Sequence, residues 1–78
     1  MKLPRDLGGT TLVKALCQSW GYRRANQVGS HAGETDDPSH HRIAIPLHPT
    51  LRIGTLNAIL RAVARHKGVS RRDVLASL

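Results

Sequence analysis

The chain reads as an α+β domain, a three-stranded antiparallel sheet with helices packed on one face, ordered helix, three short strands, helix, short helix. Three observations predict it. Apolar residues recur at helical spacing in two segments, Leu12, Leu16 and Trp20, then Leu56, Ile59, Leu60 and Val63. Between them lie short strand-like segments joined by tight turns, which favour antiparallel pairing. The length of 78 residues supports a single domain, 1–78, with a small core.

Residues 1–8 form an extended lead-in containing Pro4. The segment "GGTTLVKALCQSWGY" predicts the first helix, with Thr10 as its cap, because a hydroxyl there accepts a first-turn N–H. Val13 widens the apolar stripe, and Gly21 suits the left-handed end. The segment "YRRANQV" alternates as a half-exposed strand. "HHRIAIP" is a clearer strand, with Ile43 and Ile45 on one face and Pro46 ending the ladder. His40 and His41, being adjacent, face opposite sides. "LHPTLRI" is a loop. "GTLNAILRAVARHKG" carries the strongest helical pattern and ends at Gly68. "VSRRDVLASL" reads as a last short helix capped by Ser70, with Asp73 in its first turn.

The segment between the first two turns, "GSHAGETDDPSH", is poor in apolar residues. Ala32 and Gly33 are weak strand formers. The expectation is a short or frayed second strand, then a turn centred on Asp-Asp-Pro-Ser. Glu34, Asp36 and Asp37 bring negative charge close to His31.

Charge narrows the partner. Twelve Lys and Arg stand against five Asp and Glu, a net +7 and a pI near 11.2. Such an excess concentrates polyanions and speeds their encounter, so nucleic acid or an acidic protein is the natural partner. Trp20 and Tyr22 are the only aromatic residues besides histidine, too few for recognition by base stacking. A basic surface that holds phosphates and 2′-hydroxyls fits better, with Arg23, Arg24, Arg42, Arg61 and Arg65 as candidates.

Several chemistries are disfavoured. The histidines lack a metal-ligand spacing, so no metal and no cofactor is expected. Gly8-Gly9 is no phosphate loop, and there is no nucleophile elbow. No apolar run reaches the ~20 residues of a membrane span. A lone Cys17 and the absence of a signal-like segment fit a cytoplasmic protein. RNA cleavage remains open because RNA carries its own 2′-hydroxyl nucleophile. One imidazole that gives or takes a proton contributes roughly 100- to 10,000-fold, and arginines stabilise the developing charge. On the residues alone His31 is either that group or a turn histidine.

The pieces "LVKAL…GY", "GSH" at 29–31, "IAIPLH" at 43–48 and "RIGTLNAILRAV" at 52–63, in this order, resemble the HicA-type (YcfA-like) mRNA interferase toxins of type II toxin–antitoxin systems. The resemblance runs along almost the whole chain. It implies a fold similar to a double-stranded RNA-binding domain, cleavage of mRNA without metal, a single essential histidine at His31, and neutralisation by a HicB-type antitoxin. It gives Gly29 and Ser30 a role in presenting the imidazole at a strand edge. His48 matches a recurrent position, which either holds the loop before the main helix, the reading we favour, or touches RNA. The alternative is a non-catalytic RNA-binding module, a degenerate toxin of the same fold. A third reading is a protein whose basic surface meets only an acidic protein.

Overall fold

The computed structural model describes residues 6–27 and 30–78, with the side chains of residues 26, 27, 30 and 31 outside that description. Its elements are α1 (Gly9–Ser19), β1 (Arg23–Gln27), β2 (Ser30–Thr35), β3 (His41–Pro46), α2 (Ile53–Lys67) and α3 (Arg71–Ala76). The strands form one antiparallel sheet in the order β1-β2-β3. The α+β order read from the sequence is the order observed.

The helices share one face of the sheet. Ile43 and Ile45 of β3 are buried, and their neighbours Arg42 and Ala44 are exposed. The same core holds Leu12, Val13 and Leu16 of α1, Leu56, Leu60 and Val63 of α2, and Val74 of α3. Each large aliphatic side chain sealed there contributes about 1.5–3 kcal/mol relative to exposure. Trp20 departs from the expected stripe. It lies half-buried beside the core, and its indole N–H donates to Ser77 Oγ at 2.8 Å.

Helix α1 starts without the expected cap. Gly8 is the N-cap residue and no side chain bonds the first turn. Thr10 is exposed inside the helix. The reason is the loop after β3, which runs against the helix start. Gly9 N–H donates to the His48 carbonyl at 3.0 Å, so a backbone oxygen satisfies a donor that a cap would otherwise take. The approach is too close for side chains. A Cβ on Gly8 would lie 2.6 Å from the Pro49 carbonyl oxygen, and one on Gly9 would collide with that of Pro46. Thus Gly8-Gly9 is a packing device, and His48 holds the loop through its backbone while its side chain is exposed.

The other ends follow the expected chemistry. Gly21 and Gly68 adopt left-handed conformations, φ 72° and 69°. Ser70 and Asp73 form a reciprocal capping box at α3.

Strand β2 corrects the expected short, frayed strand. It runs through all of Ser30–Thr35 and is hydrogen-bonded on both sides. A central strand gains pairing from two neighbours, which outweighs the weak propensity of its small residues. The Tyr22 ring lies over Gly33: a Cβ there would stand in van der Waals contact with it, 3.4 Å from Cδ2.

Candidate nucleic-acid interface

His31 lies in β2, paired with Asn26 of β1 and Ile45 of β3. Its side chain, with the roles expected of Gly29 and Ser30, lies outside the described residues.

The five candidate arginines fall into three settings. Arg23 and Arg42 flank Glu34 in one cross-strand row, Arg23↔Glu34↔Arg42. Arg23 lies 3.5 Å from Glu34 and 2.9 Å from Asp36. Arg42 donates to Glu34 at 2.9 Å. Asp36 also meets His40 Nδ1 at 3.1 Å. The hydrogen bonds from His40 and Arg23, and the Arg23 charge, hold the Asp36 carboxyl below its ordinary range. The carboxylates of this segment therefore neutralise cations on the face of the sheet away from the helices. Arg24, opposite Gly33 on β1, is exposed and has no ion-pair partner among the described residues.

Arg61 and Arg65 sit elsewhere, one turn apart on an exposed flank of α2. With Ala58, Ala62, His66 and His41 they line a cleft of about 660 Å³. Neither arginine has a carboxylate partner among the described residues.

A cluster that the sequence reading did not assemble adjoins this cleft through His41 and His66. The Tyr22 hydroxyl is 2.9 Å from His41 Nδ1. The His41 and His66 rings stack, centroids 4.3 Å apart and 22° between planes. Lys67 Nζ sits 5.2 Å from the centre of the Tyr22 ring, within cation–π range, and donates to Thr35 Oγ1 at 3.3 Å. His66 Nε2 is buried with no hydrogen-bond partner among the described residues.

Burial pushes the Tyr22 hydroxyl up to about 12. Burial, then the nearby charges of His66, His40 and Lys67, lowers the His41 imidazole below its usual value. Both groups are therefore neutral near pH 7. A neutral phenol and a neutral imidazole share this bond with one proton between them, the donor set by the histidine tautomer. The signals for this cluster were a parity and a stripe: His41 shares the face of Ile43 and Ile45, and positions 58, 61, 62, 65 and 66 form a helical row beside the core row.

Among the described residues no group of three or more His, Cys, Asp or Glu side chains is placed to hold a metal ion, and no helix is long and apolar enough to cross a membrane. No family model, curated protein or solved structure matches this chain. Fold and side chains define a class: a small, strongly basic α+β domain with a three-stranded antiparallel sheet.

Proposed function

We propose that the protein is a metal-independent endoribonuclease, a HicA-type toxin that cleaves mRNA through His31 and is neutralised by a HicB-type antitoxin. The motif order in the sequence carries this reading, and a net charge of +7 on 78 residues supports it. The α1-β1-β2-β3-α2 order, with both long helices on one face, is compatible with a fold like that of double-stranded RNA-binding domains. In this reading His31 moves the proton of the RNA 2′-hydroxyl or of the leaving oxygen, and arginines hold the phosphate. The antitoxin covers the basic surface, so RNA and antitoxin exclude each other. Cytoplasmic action follows from an mRNA substrate. Induced expression in a bacterial host tests it: growth arrest with the wild-type chain, relieved by His31→Ala, is the expected result. Equal arrest by the His31→Ala chain removes the histidine from the mechanism.

One observation favours the second reading, a non-catalytic RNA-binding module. Glu34, on the face of the sheet away from the helices, engages both Arg23 and Arg42, which reduces the positive charge offered to phosphate on that face. That module binds RNA in a salt-sensitive manner and leaves it uncut.

A further inference from the structure

We infer that the cleft between α2 and the start of β3 is a phosphate-ester site, which takes the backbone of single-stranded RNA between Arg61 and Arg65 and against the His41–His66 pair. The ligand's identity rests on the RNA reading above; the site does not rest on the chemistry of His31.

The first argument is the contrast among cations. Arg23 and Arg42 are engaged by Glu34, and Arg23 by Asp36 as well. Arg24 also lacks a carboxylate partner among the described residues, but Arg61 and Arg65 lack one and together line a cleft. At i, i+4 two like charges disfavour each other. An anion between them relieves that repulsion, and a guanidinium fork matches phosphate oxygens.

The second argument is the unmet polar atom. A buried imidazole nitrogen without a partner is costly, and His66 Nε2 is one, on a residue that lines the cleft. The third is shape. Ala58 and Ala62 give the cleft an apolar lining between the arginines and His66, and about 660 Å³ accommodates a nucleotide rather than a bare ion.

The site is separate from His31. Thr35 pairs with His41, and His31 lies four residues back along β2, about 13 Å of strand at ~3.3 Å per residue.

Binding is coupled to protons. The groups around the imidazole pair are Tyr22 before β1, His40 beside β3, and Arg61, Arg65 and Lys67 on α2. From β2 the neighbour is the uncharged Thr35, and Asp36 is held by Arg23 and His40. No carboxylate among the described residues pairs with either ring, and burial first, then the neighbouring charges, opposes protonation of His41. A phosphate beside it favours the protonated form. RNA affinity at this cleft therefore rises as pH falls from 8 to 6.

The experiment is a titration of the full chain with a 2′-O-methyl RNA hexamer, which binds but lacks the nucleophile, following the histidine ring signals by NMR. The hexamer is expected to shift His41 and His66. In the Arg61→Gln/Arg65→Gln double variant, affinity at low salt falls about 10-fold or more. The slope of log affinity against log salt drops by about 1.4, roughly 0.7 per lost single-strand phosphate contact. Both positions are exposed, and an unchanged melting temperature checks the fold. Wild-type binding that the double variant retains in full overturns the cleft and spares the RNA reading. A hexamer that fails to bind the wild-type chain overturns both. Inorganic phosphate that shifts the two rings while the hexamer does not assigns the cleft to free phosphate instead. An oligoglutamate peptide that shifts them more strongly than the hexamer assigns it to an acidic protein.

Discussion

The hydroxyl of Tyr22 meets Nδ1 of His41 at 2.9 Å and joins the entry of β1 to the start of β3 across the central strand. Burial of the phenol raises its pKa to about 12. Tyr22 is the sole tyrosine, so tyrosinate absorbance reports this one group. A phenol whose folded pKa exceeds its unfolded value stabilises the fold below about 10, and that contribution is lost as pH rises from 10 toward 12. The folded protein is expected to titrate near 12 and the denatured chain near 10. A folded-state midpoint of 10 contradicts the buried pair.

The acid limb belongs to His41. Its folded pKa is depressed, chiefly by burial. The stabilisation is therefore full above the unfolded value of about 6.5 and is lost as pH falls through the folded value. Melting temperatures are expected to fall as pH drops from 7 to 5, and His41→Gln flattens that fall. The same slope in the variant assigns the acid sensitivity to other groups.

Two glycines give opposite outcomes on substitution. Gly9→Ala places a methyl group on the Pro46 carbonyl and forces α1 from the loop after β3; about 2–3 kcal/mol of stability is lost. Gly54, in the first turn of α2, has nothing within 4 Å of a new Cβ. Gly54→Ala gains about 0.4–1 kcal/mol by restricting the unfolded chain. Urea denaturation measures both, and a neutral Gly9→Ala would mean that the loop does not press on the helix.

Glu34 restrains the outer face of the sheet. Glu34→Gln removes the carboxylate that engages Arg23 and Arg42 from a half-buried position between them, at a stability cost of about 1 kcal/mol. RNA affinity at low salt is expected to rise a few-fold, roughly as one added cation implies, and the gain shrinks as salt increases. Unchanged affinity at low salt shows that this face does not meet RNA.

Much of the fold was legible because its signals are local. Leu12, Leu16, Leu56, Leu60 and Val63 announce two helix faces by spacing, and Gly21, Gly68 and the Ser70–Asp73 box mark ends by backbone and hydrogen-bond chemistry. What was misread depends on distant partners. Thr10 has the chemistry of a cap, but the His48 carbonyl takes the Gly9 N–H. Ala32 and Gly33 look weak as strand residues, yet two flanking strands and the Tyr22 ring stabilise β2. The pairing of Glu34 with Arg23 and Arg42 was not legible either, because it depends on strand register. For the site, the sequence named Arg61 and Arg65 singly. Their shared cleft with His41 and His66 depends on how α2 lies against β3, which spacing along one chain does not encode.

The most direct test of the nuclease account is cleavage of a defined mRNA by purified protein in EDTA, with wild-type and His31→Ala chains compared at equal melting temperature. The account predicts cleavage products from the wild-type chain and none from the variant. Undiminished cutting by the variant, or intact RNA with a folded wild-type protein that binds it, contradicts it.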